Sequence, residues 1–216
     1  MPRHQKWQRA LVIGMSALAG YIDAIGYLQL GGFFVSFMSG NSTRLAIGFA
    51  GHKHAALVAG GLIGMFLLGV IFGSVVGQLS GRRYRGSTVL GLVALLLVLA
   101  AALHLAQIRP GALAAMAFAM GAENAVFERH GEANIGVTYM TGVLVKLGQH
   151  IARALLGGSR TAWLTYLFPW LGMIAGATVG AFVYPVLNLT ALWPAAGVAA
   201  IAATIPLLVP MGWRAG

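Results

Sequence analysis

Residues 55–79 read AALVAGGLIGMFLLGVIFGSVVGQL, a run without a charged side chain that decides the class of the protein. A helix needs about 20 apolar residues, each rising 1.5 Å, to cross roughly 30 Å of hydrocarbon. Residues 55–79 satisfy this length, and five other runs resemble them. The sequence therefore predicts six spanning helices, at 10–30, 55–79, 88–107, 111–127, 163–187 and 191–209.

The composition agrees with a membrane protein. Of the 216 residues, 59% are hydrophobic and 8% are charged, whereas a soluble domain carries about 25% charged residues. The formal charge of +10 comes from short basic clusters between apolar runs, without a nucleic-acid-binding motif, so it indicates orientation in a bilayer rather than a nucleic-acid partner. The absence of cysteine excludes disulfides and thiolate sites. We expect an all-α polytopic bundle.

Two further segments, 33–50 and 136–155, are apolar but contain a base, Arg44 or Lys146, with glycines and hydroxyl residues. They either span or dip into the membrane and return. Lys and Arg concentrate in short cytoplasmic loops. Six crossings with a cytoplasmic amino terminus place more of the 14 bases inside than eight crossings do. Six crossings in the bacterial inner membrane are thus favoured, and eight remain open.

The chain also contains matching motifs in its two halves, 1–109 and 110–216, as transporter folds built from repeats do. Each half has a glycine before a polar residue, a Met-hydroxyl-Gly triplet, a base and a glycine pair. If each half crosses three times, an odd number, the second half is inverted; four crossings would give parallel halves. The matches are Gly20 and Asp23 with Gly121 and Asn124, Met38-Ser39-Gly40 with Met140-Thr141-Gly142, Arg44 with Lys146, and Gly69 and Gly73 with Gly176 and Gly180.

Two of the four acids, Asp23 and Glu123, fall inside predicted helices. A charged carboxylate at a helix centre costs about 2.5–3.5 kcal/mol on insertion scales, so such residues usually face a cavity or a partner. One interpretation is a proton or cation site. The other is a pair of fixed ion pairs, Asp23 with Arg44 and Glu123 with Lys146, which would lock the halves together.

A polar run, Ser39, Asn41, Ser42 and Thr43, interrupts segment 33–50, and Asn124, Thr138 and Thr141 form a thinner counterpart. These side chains either line a pathway or cap the start of a half-helix. Arg44, one turn along, would reinforce an anion preference at such a terminus. The candidate pathway residues are Asp23, Ser39, Gly40, Asn41, Arg44, Glu123, Asn124, Thr141, Gly142 and Lys146.

The motifs resemble the YoaK family of small multi-pass bacterial membrane proteins over nearly the whole chain. The resemblance implies a protein that is sometimes labelled a permease and has no established substrate. It matches at Asp23, whereas the family's pattern has Gln at the position of Glu123, which makes Asp23 the stronger candidate. The motifs are Gly20-Tyr-Ile-Asp-Ala24, Gly31-Gly-Phe-Phe-Val35, Met38-Ser-Gly-Asn41, Met120-Gly-Ala-Glu-Asn-Ala125 and Thr138-Tyr-Met-Thr-Gly142.

The leading functional hypothesis is a transporter or permease of a small solute, coupled to protons or ions through Asp23, with the two Met-hydroxyl-Gly elements as its gate. A channel would have the same architecture. A non-catalytic scaffold would use the glycine ridges at 60–64 and 69–77. An intramembrane hydrolase is disfavoured, because Ser39 lacks a glycine two residues earlier and His150 has no evident orienting residue. We expect no enzyme activity, cofactor or metal; the expected partners are the bilayer and a small solute or ion, with homodimerisation open.

Overall fold

The computed structural model describes residues 3–129, 132–133 and 139–208 of the chain. Apart from a hairpin of two-residue antiparallel strands, β1 (Glu128–Arg129) and β2 (Glu132–Ala133), its regular elements are helical. The prediction of a polytopic helical bundle is confirmed. The α-helices are α1 (Arg3–Gln29), α2 (Met38–Phe49), α3 (Lys53–Leu79), α4 (Gly81–Leu105), α5 (Arg109–Glu123), α6 (Met140–Leu155), α7 (Leu164–Leu187) and α8 (Leu192–Leu208), with 3-10 turns at Asn124–Phe127 and Asn188–Ala191.

Four helical stretches in the described part of the chain are long and apolar enough to cross a membrane. The last of them runs through both α7 and α8 and has 44 residues, about twice the length that one crossing needs. A turn at Asn188, with φ of +50°, divides it. The four stretches are Trp7–Gln29, Lys53–Leu79, Arg83–Leu105 and Leu164–Leu207.

The predicted boundaries differ from the observed helices at α1, α4 and α5. α1 begins at Arg3, seven residues before the expected start. α4 begins at Gly81, seven residues before the expected start, because Gly81 at φ +72° reverses the chain directly after α3. The basic cluster at 82–85 therefore lies in the first turn of α4 and not in a loop. α5 has only 15 residues, and the 3-10 turn Asn124–Phe127 extends it to about 30 Å at the usual rises per residue.

The outward faces of the long helices carry large apolar side chains. On α3, for example, Leu67, Leu68, Ile71 and Phe72 are about half exposed. A soluble protein rarely exposes so continuous an apolar surface, and lipid tails cover such a surface in a membrane. The buried side chains between the helices include Met15, Ile22, Leu97, Met116, Met120 and Leu192.

Helix packing follows a pattern that repeats between the first four and the last four helices. α1 packs on α7, and correspondingly α5 packs on α3. The short helices also correspond, since α2 packs on α3 and α6 packs on α7, while α4 and α8 pack on each other. The first helix of each half therefore packs against the third helix of the other half.

Glycines make both helix crossings possible. A Cβ on Gly176 of α7 would overlap the carbonyl oxygen of Ala17 in α1, and a Cβ on Gly69 of α3 would overlap that of Phe118 in α5. The reciprocal contacts correspond as well: Gly20 abuts the Met173 carbonyl, and Gly121 abuts that of Phe66. Such close backbone approach is typical of small residues in membrane helices.

Helix α2 runs back along the start of α3. A Cβ on Gly48 would lie 2.6 Å from the Ala56 nitrogen, and one on Gly60 would lie 3.6 Å from a methyl group of Leu45. Since the residue numbers change in opposite directions, the two helices are antiparallel. The amino terminus of α2 thus lies beside the middle of α3, and the connection at 30–37 returns along α1 to reach it.

Candidate functional site

Asp23 binds the connection between α1 and α2. Its side chain is only 4% exposed, and its Oδ1 accepts hydrogen bonds from the backbone N–H groups of Val35 (2.9 Å) and Ser36 (2.8 Å). Its Oδ2 accepts a further hydrogen bond from the Ser36 hydroxyl (2.7 Å). The carboxyl group therefore lies next to the amino terminus of α2, where the helix dipole favours negative charge.

Asn41 holds the same connection from α2. It is fully buried; its Oδ1 accepts a hydrogen bond from the Phe34 N–H (3.0 Å), and its Nδ2 donates one to the Phe34 carbonyl (2.6 Å). Residues 34–36 lie outside the helices and strands, so Asp23 and Asn41 together satisfy backbone groups that would otherwise be costly to bury.

Arg44 is not the partner of Asp23. Its guanidinium carbon lies 5.0 Å from the centre of the Phe33 ring, and the group packs against Gly32. The contact is a cation–π interaction that adds a third attachment for the connection. Of the two interpretations that the sequence left open for Asp23, the fixed ion pair with Arg44 is wrong.

Glu123 ends α5 in a fully buried position, 0% exposed. Neither of its carboxyl oxygens has a hydrogen-bond partner within the described part of the chain. Lys146, which the second ion-pair interpretation assigned to it, is exposed on α6. This ion pair is wrong too, and Glu123 is an unpartnered buried acid.

The structure brings the two acids together. Glu123 and Asp23 are close enough to interact electrostatically, although they come from α5 and α1, which belong to different halves of the chain. Two carboxyl groups within electrostatic range of each other in an apolar interior are costly to ionise together. The arrangement can therefore hold a proton or a small cation between α1 and α5.

The hydroxyl residues of α2 have a more local role. Ser39, Ser42 and Thr43 are exposed on the bundle surface. The Ser42 and Thr43 hydroxyls donate to the carbonyl oxygens of Met38 and Ser39 within their own helix, which is how isolated hydroxyls are satisfied in membrane helices. Thr141 is likewise exposed on α6, and Thr138 lies outside the described residues.

The glycines of the two Met-hydroxyl-Gly triplets share one packing feature. The Phe37 ring covers Gly40, and the Tyr139 ring covers Gly142, so closely that neither glycine has room for a Cβ. Phe37 and Tyr139 also have similar backbone angles, φ −83° with ψ 76° and φ −92° with ψ 62°. α2 and α6 therefore begin in the same way.

Asn124 occupies the position in the second half that Asp23 has in the first. Its side-chain Nδ2 donates to the Met120 carbonyl (2.9 Å), so its amide closes the end of α5. Sequence reasoning did not identify Ser36, which binds Asp23, or Phe34, which binds Asn41. The small polar residue Ser36 amid aromatic and apolar neighbours was the available signal.

Comparison with known proteins agrees with the membrane architecture. A model of the family described as "Protein of unknown function (DUF1275)" matches residues 11–205. The chain is also 36% identical, over 211 residues, to a UPF0700 transmembrane protein of Rhizobium meliloti (strain 1021); the match covers 95% of this chain and 88% of that protein. No solved structure is significantly similar. The resemblance to a family of multi-pass membrane proteins without a known activity is confirmed.

Proposed function

We propose that this chain, which belongs to the DUF1275 family of transmembrane proteins of unknown function, is a transporter of a small solute that uses Asp23 and Glu123 as a proton or cation site. One observation carries the proposal: Glu123 is fully buried, and both its oxygens are unpartnered in the described part of the chain. Ionisable residues are expensive within a membrane and are typical of ion and proton pathways.

An acid without partners does not stabilise the fold, because burial removes its hydration and nothing replaces it. A purely structural site would be served better by an apolar residue or by a hydrogen-bonded one. Glu123 contrasts with Asp23, whose three hydrogen bonds give it a structural role. We therefore assign exchange of the proton or cation to Glu123, and transmission of the resulting change to Asp23.

Transmission follows from the attachments of Asp23. A negative charge on Glu123 repels the Asp23 carboxylate, and neutralising Glu123 removes this repulsion. Since Asp23 holds Val35 and Ser36, any change in its position moves the connection at 30–37 and the amino terminus of α2. This segment is the gate in our proposal.

We further propose that the two halves, 1–109 and 110–216, are inverted repeats. The matched crossings of α1 on α7 and α5 on α3 support this arrangement, as do the matched starts of α2 and α6. With 12 and 16 residues, α2 and α6 are shorter than a crossing requires, whereas the 3-10 turn that follows α5 extends that 15-residue helix to about 30 Å. Three crossings per half result. The short helices would then enter the bilayer from opposite faces, as in many transporters.

The same proposal places the protein in the bacterial inner membrane with a cytoplasmic amino terminus, and it assigns no catalytic residue. A scaffold remains the alternative class. A scaffold would use the glycine ridge of α3 to bind a partner. However, α5 of the same chain already packs against Gly69 and Gly73 of that ridge. Gly61 and Gly64 have open space instead, and they remain for a contact with a second copy.

Proton-coupled flux tests the transport proposal. The wild-type chain and Glu123→Gln are reconstituted in vesicles that contain the pH dye pyranine, and amino acids, sugars, organic acids and inorganic ions are added one at a time. We expect at least one solute to drive proton movement in wild-type vesicles, because solute and proton share one pathway. Glu123→Gln should reduce this movement at least about tenfold, because an amide cannot exchange the proton.

The matched control is Arg109→Gln, which changes an exposed base at the start of α5 and should leave the flux unchanged. Proton movement that equals that of empty vesicles for every solute would contradict proton-coupled transport. Equal flux in wild type and Glu123→Gln would contradict the assignment of the site.

A further inference from the structure

Helix α6 separates its side chains into three faces. Met140, Val143 and Leu147 are buried where the helix packs on α7. Leu144, Ile151 and Leu155 form an exposed apolar face, with Leu155 82% exposed. A polar face beside an exposed apolar face is typical of helices that contact both headgroups and acyl chains.

The polar face of α6 is basic. Lys146, Gln149, His150 and Arg153 recur at intervals of three and four residues, so they form one stripe on the helix. Lys146 and Arg153 are both exposed. The sequence contains no Asp or Glu after Glu132, so α6, α7 and α8 carry no carboxylate side chain.

The stripe ends in a surface depression of about 410 Å³. His150, Arg153 and Ser159 supply its polar groups, and Leu156, Gly158 and Ala162 complete its lining. The His150 ring stacks on Tyr166, with 4.9 Å between ring centres, which fixes the imidazole at the edge. Leu156, beside the depression, is 88% exposed.

The last turn of α6 presents fewer free carbonyl oxygens to an anion than an uncapped helix end does. The carbonyl oxygens of its last turn accept backbone hydrogen bonds, from Leu156 to Ala152 (3.1 Å), from Gly157 to Ala154 (3.3 Å) and from Gly158 to Arg153 (2.8 Å). Arg153 in that turn offsets the remaining negative end of the helix dipole.

We propose that this depression binds the phosphate of an anionic phospholipid headgroup, with Arg153 as the charged contact and Lys146, two turns earlier on the same stripe, adding to the positive potential around it. Arg is well suited to phosphate, because its planar guanidinium donates two parallel hydrogen bonds. The exposed leucines at 155 and 156 continue the site into the acyl region. A headgroup phosphate together with its acyl chains fits this combination, whereas a free phosphate would use only its basic part.

Native mass spectrometry of the full chain in detergent tests the proposal, with dioleoyl phosphatidylglycerol and dioleoyl phosphatidylcholine offered in equal amounts. We expect wild type to retain the phosphatidylglycerol preferentially. The double variant Lys146→Gln/Arg153→Gln should lose about fivefold of this preference for each base removed, as expected for bases near an anionic membrane surface. Arg109→Gln removes one positive charge at another exposed site, and this variant should keep the preference.

Two further arms separate the sources of the phosphate and the effect of misfolding. Millimolar inorganic phosphate should not displace the lipid, and Lys146→Arg, which retains the charge and leaves Arg153 in place, should bind as wild type does. An unchanged preference in the double Gln variant, an equal loss in Arg109→Gln, displacement by inorganic phosphate, or loss in the charge-retaining variant would each overturn the proposal.

Discussion

Replacing Asp23 by Ala should destabilise the protein strongly and release the connection between α1 and α2. The change removes the acceptors of three buried hydrogen bonds, two from backbone N–H groups and one from the Ser36 hydroxyl. Each buried donor left without a partner costs about 1–3 kcal/mol, and the membrane interior offers no water in compensation. Thermal unfolding in detergent, followed by tryptophan fluorescence, measures the loss, and hydrogen exchange should increase at residues 34–36.

Two variants serve as controls for this result. Asp23→Asn keeps an acceptor oxygen for the backbone groups, so its loss of stability should be much smaller. Ser16→Ala removes a fully buried hydroxyl of the same helix that has no hydrogen-bond partner in the described structure, and it should cost little. If Asp23→Ala unfolds no earlier than Ser16→Ala, the carboxyl group does not hold the connection.

Placing a methyl group at either glycine crossing should also lower stability substantially. Gly176→Ala and Gly69→Ala would each force a Cβ against the carbonyl oxygen of a neighbouring helix, that of Ala17 or Phe118. Overpacking of this kind costs about 1–3 kcal/mol and more where the backbone must move. Because the two crossings have the same geometry, unfolding curves should show similar losses for both variants.

Glycines in open positions on the long helices provide the comparison. Gly14 in α1 and Gly64 in α3 have nothing within 4 Å of the position that a Cβ would take. Their replacement by Ala should be neutral or should stabilise by up to about 1 kcal/mol, through helix propensity. A loss at Gly64 as large as at Gly69 would mean that an effect of the substitution other than the helix crossing determines the loss.

Hydropathy and charge made the helical architecture predictable. Long apolar runs without charged residues can satisfy their backbone in lipid only as helices or closed barrels, so segments such as 55–79 were assigned correctly. The two doubtful segments became the short helices α2 and α6. The start of α4 was missed, because the basic cluster at 82–85 resembles a loop in sequence.

The contacts of the site were less predictable. Opposite charges in one sequence suggest ion pairs, and so Asp23 was expected to pair with Arg44 as one alternative. In the structure, backbone N–H groups of residues 35 and 36 take the place of a base. Backbone donors carry no sequence signal, since every residue except proline has one, and only the path of the connection determines which of them reach the carboxyl group.

The glycine matches, by contrast, carried three-dimensional information. Gly69 and Gly176 were paired in sequence by their spacing alone, and each lies at a helix crossing of the same kind. Where two helix backbones approach this closely, no residue larger than glycine fits. The spacing of the glycines in the sequence therefore marks the crossings. The helix that fills each crossing was not predictable, because it comes from the other half of the chain.

The central claim is that the two halves face opposite sides of the membrane and bring Asp23 and Glu123 together between them. Cysteine labelling tests it directly, because the chain has no native cysteine. His52→Cys, before α3, and Ser159→Cys, before α7, introduce thiols at exposed corresponding positions. In intact vesicles of one orientation, a membrane-impermeant maleimide should label one of the two variants and spare the other until the membrane is opened. Labelling of both from the same side would mean parallel halves and would contradict the account.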